Sequence, residues 1–379
     1  MARSYRDPIR QFLLFTHRWM GIPAALFLAA MGVSGAILVY ERPVDRLLVP
    51  RLHVVRPGVT MLPLDSLVAI ADRAAPRSVK AGWVLLPQRP DEAARVQYRF
   101  RHVFIDPYRG TVLGERGMGE SVVNQLRNFH QTFFLKGTGR VIALVCTGAG
   151  ILLALGGVIL WWPRKIVRFR TRSSWRRINY DLHNITGLVG LVGILLFGGT
   201  ALMMASGNVL DPLYRRTLGD APNPRLLPGS PRSEQPASLD AIARAADAAV
   251  AGPLREIVLP ADPHGTYRVQ KQAPGEYGYR ARNIVFVDGN DARVRGVIDQ
   301  NRRPMGTRVQ MLTEDWHIAA FAPRWSLVFG VVSCLCLAFT SFTGPLIWWK
   351  PRRKAPRSPA SRDDHVPASS AGSRNPSTS

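Results

Sequence analysis

Cysteine is scarce in this sequence, with only three among 379 residues. Cys146, Cys334 and Cys336 all lie inside apolar runs, so they offer no disulfide framework and read as small helix-packing residues. Acidic side chains are also few: 26 Asp and Glu stand against 50 Lys and Arg, a formal net charge of +24. That excess raises nucleic-acid binding as a function, but the basic clusters flank apolar runs and belong to no recognition module. Membrane topology and attraction to anionic membrane lipid account for them, and no nucleic-acid partner is expected. A G-x-G-x-x-G unit between strand and helix is missing too; "KGTGRVIAL" leads straight into an apolar run. The chain is therefore expected to carry no flavin or nicotinamide domain of its own.

Uninterrupted apolar sequence is what the chain has in quantity. A mean hydropathy of −0.01 conceals four charge-free runs: Trp19 to Tyr40, Val141 to Trp162, Ile185 to Leu210 and Trp325 to Trp349. Each exceeds the roughly 20 residues a spanning helix needs. The segment between the second and third runs carries Arg164, Lys165, Arg168, Arg170, Arg172, Arg176 and Arg177 against Asp181 alone, which places it in the cytoplasm. With four spans both termini then face inward. The expected organisation is a cytoplasmic N-terminus (1–18), a first span (19–40), an outer segment (41–140) and a second span (141–162). A basic cytoplasmic loop (163–184), a third span (185–206), a second outer segment (207–324) and a fourth span (325–349) follow. The tail at 350–379, rich in Pro, Ser and charge, is expected to be disordered and cytoplasmic. In a bacterial cell this describes a multi-pass inner-membrane protein with two large periplasmic segments.

The chain also repeats itself. "HRWMG" opens the first span and "HNITG" the third, while "GGVILWWPRK" and "TGPLIWWKPRR" close the second and fourth. Trp161 stands 31 residues after His130, and Trp348 stands 31 residues after His317. The outer segments match as well, each with an amphipathic helix pattern ("LPLDSLVAIADRAA", "ASLDAIARAADAAV") before strand-like runs with turns at "DPYRG" and "DGND". The expected fold class is a mainly α polytopic membrane protein, with four transmembrane helices in two repeated pairs and two periplasmic α+β modules. As unbroken helix, 31 residues would run roughly 46 Å, well past the bilayer core. Breaks are expected at "KGTG" and "FAPRW".

Four histidines at two repeated positions form a constellation. The topology puts His17 and His183 at one level near the cytoplasmic face, and His130 and His317 at another near the periplasmic face. Two levels with two imidazoles each suit two bis-histidine haems of b type, which favour electron transfer over oxygen binding. Zinc would want four converging ligands and is less apt. Gly21 and Gly187, four residues after their histidines, leave space for a porphyrin edge, and Arg18, Arg127, Arg140 and Arg324 can pair with propionates. Plain helix packing and lipid contact remain alternative roles for these glycines and arginines. His53, His102, His264 and His365 have no repeat partner and receive no role.

The histidine-led spans, the two tryptophan-pair endings and "VFIDPYRGTVLGE" resemble the PepSY-associated transmembrane helix family, which includes iron-regulated membrane proteins and ferric-siderophore reductases. The resemblance covers nearly all of the chain to about residue 355, although "DGNDAR" in the second module replaces the family's DP-x-x-G turn. It implies that His17, His130, His183 and His317 are haem ligands and that the outer modules are PepSY-like. It further implies an oxidoreductase that reduces a ferric siderophore at the periplasmic face, with electrons from quinol or a separate cytoplasmic reductase. A non-enzymatic PepSY scaffold or regulator, binding a periplasmic partner, is the alternative.

Overall fold

The computed structural model describes residues 8–349 apart from 76–78, 163–171, 221–225, 273, 275–276 and 278–280. The expected disordered tail and residues 163–171 of the expected basic loop lie outside the described residues. Four helices are long and apolar enough to cross a membrane: α1 (Pro8–Leu38), and three more that follow below. After α1 come α2 (Glu41–Leu48), α3 (Pro50–His53) and α4 (Leu64–Ala74), then strands β1 (Trp83–Leu85), β2 (Ala94–Tyr98), β3 (Arg101–Ile105) and β4 (Val112–Gly117). Helix α5 (Val122–Thr132) leads into α6 (Lys136–Trp161), and α7 (Trp175–Ala205) and α8 (Gly207–Leu218) follow. The last third holds α9 (Leu239–Ala249), β5 (Leu254–Val258), β6 (Thr266–Lys271), β7 (Asn283–Asp288), β8 (Val294–Ile298), α10 (Met305–His317) and α11 (Trp325–Trp348).

Helices α1, α6, α7 and α11 close into a ring in which α1 and α7 each touch both α6 and α11. Small residues allow the closest approaches, as expected where lipid replaces water and packing drives helix association. A Cβ on Gly32 would stand 2.6 Å from the Cys334 carbonyl oxygen, and one on Gly193 only 2.0 Å from Ser333 Oγ. Cys336 packs likewise against Gly190. Both α1 and α7 start before their apolar runs, so His17 and His183 sit inside helices.

The two outer segments differ from the expected pair of separate modules, because their strands join in one eight-stranded antiparallel sheet of order β4-β3-β2-β1-β5-β6-β7-β8. The seam is β1 against β5, where Trp83, Val84 and Leu85 face Val258, Ile257 and Glu256. Val84, Val96, Val103, Ile257, Val269 and Val285 point to one face, fully buried under α4 and α9. The alternate residues on these strands point to the bundle. The helices covering the sheet are also joined: Asp240 accepts from Leu64 N–H at the start of α4, and Asp65 accepts from Leu239 N–H at the start of α9. Each acid fills an N-terminal donor of the other helix. Both turns read from the sequence form, with Asp106 capping the amides of Tyr108 and Arg109 and Asp288 that of Asn290.

The breaks between histidine and span are real, and the first runs into "KGTG" at its lysine. The Phe133, Phe134 and Lys136 backbones are left-handed (φ 48°, 62° and 52°), and this turn separates α5 from α6, while residues 137–139 continue α6. Gly139 lies where a Cβ would collide with the Thr132 carbonyl, so glycine serves the tight re-entry and not the break. In the second half the break spans 318–324 and includes Pro323 of "FAPRW".

Candidate functional site

The bundle brings the four repeated histidines together as two pairs. At the end far from the sheet, His17 on α1 meets His183 on α7 with ring centroids 6.4 Å apart and planes at 87°. At the sheet end, His130 near the end of α5 meets His317, the last residue of α10, at 6.5 Å and 52°. A first-row metal bonds an imidazole nitrogen at about 2.0 Å, and the ring centroid lies about 1.1 Å further, so two trans imidazoles hold their centroids about 6.3 Å apart. Both pairs match that separation. Among the described residues no third His, Cys, Asp or Glu joins either pair.

Helix hydroxyls and carbonyls fix which nitrogen faces the gap. His183 Nδ1 lies 3.1 Å from the Thr340 carbonyl and 3.1 Å from Thr343 Oγ1. His317 Nδ1 lies 3.1 Å from the Phe197 carbonyl and 3.1 Å from Thr200 Oγ1. Carbonyl oxygens only accept, so Nδ1 carries the proton in both rings. For His130 the partner is Ser34 Oγ at 2.8 Å, whose own hydrogen is directed at the Ala30 carbonyl 2.7 Å away, so His130 again donates from Nδ1. The three Nε2 atoms thus keep their lone pairs, and none is held by a hydrogen bond among the described residues. A ligating histidine ordinarily donates its second ring N–H in this way, which sets tautomer and orientation.

His17 is the exception. Its Nδ1 is buried without a hydrogen-bond partner. One of the two partners of His183 has no counterpart here: counted back from the tryptophan pairs, Gly156 on α6 holds the position that Thr343 holds on α11. The neighbouring Gly157 and Gly344 match, each lying where a Cβ would stand 3.5 Å from Cε1 of its imidazole. Gly35 backs His130 similarly, at 3.3 Å. These glycines, with Ser34, Thr200 and Thr343, were not singled out from the sequence. The available signal was the repeat itself, since Ser34 and Thr200 each stand 17 residues after the histidine that begins their half.

The other expected site residues are placed as follows. Gly21 faces Leu153 and Gly187 faces Thr340, both at ordinary contact distance, so they serve helix contacts next to the pair. Arg18 is exposed, with its guanidinium 5.2 Å from the Trp348 ring. Arg140 and Arg324 are exposed near the starts of α6 and α11. Arg127, one turn before His130, is ion-paired with Glu41.

Comparison with known proteins places these observations in a family. Over 85 residues the chain is 35% identical to an uncharacterised Pseudomonas aeruginosa protein, PA4219; the match spans 22% of this chain and 21% of that protein. The family model described as the PepSY-associated TM region matches residues 14–350, from three residues before His17 to just past Trp349. A match across nearly the whole chain, both histidine pairs included, makes this polytopic membrane protein a member of the PepSY-associated TM family.

Proposed function

We propose that the protein is a di-haem oxidoreductase of the bacterial inner membrane that carries electrons across the bilayer and reduces ferric siderophores on the periplasmic side. The observation that carries the reading is the two imidazole pairs, spaced for an intervening iron, with Nδ1 held and Nε2 free in three of the four rings. His17 and His183 would hold one haem b, and His130 and His317 the other. When bound, each group would supply a one-electron iron couple.

The protein's part is to hold and insulate. Ser34, Thr200 and Thr343 keep the Nδ1 protons in place and the imidazoles oriented. Along α1 the two levels are separated by the 17 residues from His17 to Ser34, about 25 Å at helical rise. Ala24, Leu28 and Cys146 form a buried apolar cluster between the levels. The basic flanks support a His17–His183 level at the cytoplasmic face, where quinol or a separate reductase would donate, with the sheet in the periplasm. The duplicated elements support a pair of fused PepSY-like modules in that sheet. No acid, base or nucleophile is needed, because oxygen-donor siderophores bind hard Fe(III) much better than Fe(II) and one electron loosens the metal.

Purified protein should be red, with the paired visible bands of low-spin haem b and about two haems per chain by pyridine haemochrome. Dithionite-reduced protein should be reoxidised by an added ferric siderophore, with ferrozine capturing the Fe(II) released. A colourless preparation from haem-sufficient cells would overturn the reading in favour of a scaffold. Haem bands that no ferric siderophore reoxidises faster than dissolved oxygen would assign the electrons to another periplasmic acceptor.

A further inference from the structure

Between the bundle and the sheet lies a cavity of about 860 Å³, within the range of small-molecule sites. Its roof is the bundle-facing side of the sheet, where the register aligns Arg95, Leu85, Glu256 and Gln270 across four strands. Its floor includes Arg127 on α5 and Met311 on α10. These stand three and six residues before His130 and His317, about 5 and 9 Å of helix. The cavity therefore opens directly above the sheet-end histidine pair.

The lining is cationic, with eight arginines against four carboxylates. Most of these charges are already matched. Asp45 takes Arg116, Glu41 takes Arg127, and Asp91 and Asp315, just outside the lining, take Arg46 and Arg282. Arg95 is different: it is half-buried and makes no hydrogen bond or ion pair among the described residues. Burial, then the charges of Arg42 and Arg116, push its guanidinium down to about 10, so it stays charged at neutral pH. A desolvated cation facing an open cavity with unused donors is a recognition element, because guanidinium offers a planar fork to oxygen anions. Glu92 and Asp45 temper its field, and Glu256, two strands away in the same row and facing the same cavity, adds a further carboxylate that Arg42 and Arg95 act on.

We propose that this cavity is the docking site of the electron acceptor, that it selects anionic Fe(III) chelates with oxygen donors, and that Arg95 is the cation meeting the chelate. This rests on the reductase reading and adds its binding site. Arg95 touches the ligand and not the haem ligands, and the cavity's volume accommodates a hexadentate chelate but not a protein partner.

The test uses the full-length holoprotein in detergent and redox-inert gallium. A Ga(III) tripodal tricatecholate, a trianion, is titrated by calorimetry beside a Ga(III) trihydroxamate that is a monocation. The trianion should bind saturably and weaken with salt, and Arg95→Gln should weaken it about tenfold or more. Glu256→Gln should tighten it, a direction that misfolding does not produce. The monocation should respond to neither loss of Arg95 nor loss of Glu256 in that sense. Trianion binding that both variants leave unchanged, or no saturable binding at all, overturns the site even where siderophore reduction by the wild type is intact. Arg95-dependent binding without reoxidation of the haem bands by the Fe(III) tricatecholate would instead leave the site standing and sink the reductase reading.

Discussion

Replacing Ser34 by alanine isolates one hydrogen bond in the sheet-end pair. Ser34 is buried, and the methyl that remains fills most of the same space, so little cavity is created. What disappears is the oxygen 2.8 Å from His130 Nδ1. Such a bond contributes about 0.5–1.5 kcal/mol net, and a buried donor stranded without a partner costs about 1–3 kcal/mol. The Met31 carbonyl remains as a weaker backbone acceptor for His130, and the loss falls on the loaded state, in which the imidazole would be unable to turn. Weakening by about ten- to hundredfold follows, the size found generally when the outer partner of a metal ligand is removed. Haem transfer from the purified protein to excess apomyoglobin should show two phases, one per site. Ser34→Ala should accelerate one phase by that factor, Ser34→Thr should restore it, and the other phase should not move. Thr200→Val should have a smaller effect, because the Phe197 carbonyl remains 3.1 Å from His317 Nδ1. Equal acceleration of both phases, or of neither, would refute the assignment of Ser34 to one ligand.

Three further outcomes follow from the geometry. Gly156→Ser brings a hydroxyl within reach of His17 Nδ1, from a Cβ about 4.0 Å away, and should slow the second haem-transfer phase. Gly32→Ala forces a methyl to within 2.6 Å of the Cys334 carbonyl and 2.9 Å of Ala338 N, and should cost about 1–3 kcal/mol, read as a lowered melting temperature in detergent. Asp45 joins α2 to the sheet through Arg116 and His53; burial alone would raise its carboxyl, but hydrogen bonds from His53 and Arg116 outweigh burial and hold it well below the ordinary value near 3.8. A depressed folded-state value means that the stabilisation is complete above the ordinary carboxylate range and is lost as pH falls below it. Asp45→Asn should therefore lower stability by about 3–5 kcal/mol at neutral pH, with the gap to wild type closing below about pH 4 in tryptophan-fluorescence melts.

Much of the site was legible because the histidine spacing occurs twice in the sequence. Spacing paired His17 with His183 and His130 with His317, since residues at equal distances from matched helix ends fall at equal depths. The amphipathic helices and Asp-led turns were legible for local reasons, namely helical periodicity and side-chain capping of the turn amides. The joining of both outer segments in one sheet was not. Edge pairing between β1 and β5 depends on two three-residue stretches that carry no signal of their partner. In "KGTG" the break falls on Lys136 and the glycine at 139 serves a close approach, because glycine marks both and only the Thr132 carbonyl beside Gly139 distinguishes them. The cavity escaped notice for a related reason: Arg95, Glu256 and Gln270 are brought together by strand register across the seam, which no window of sequence contains.

The β1–β5 seam also dictates a schedule. Synthesis runs from the N-terminus, so β1 to β4 are complete while Glu256, the partner of Leu85, is still untranslated and two more spans have yet to be inserted. Throughout that interval β1 offers an unpaired edge, the kind of surface on which chains aggregate. Helix α4 waits as well, since the acid that completes its N-terminus belongs to α9. The first half is thus a template held open until the second arrives, and a ribosome stalled between α6 and α7 would leave a membrane-anchored half-sheet exposed to proteases. Closure of the sheet waits on β5, the strand that completes the seam, and not on the first helix to insert.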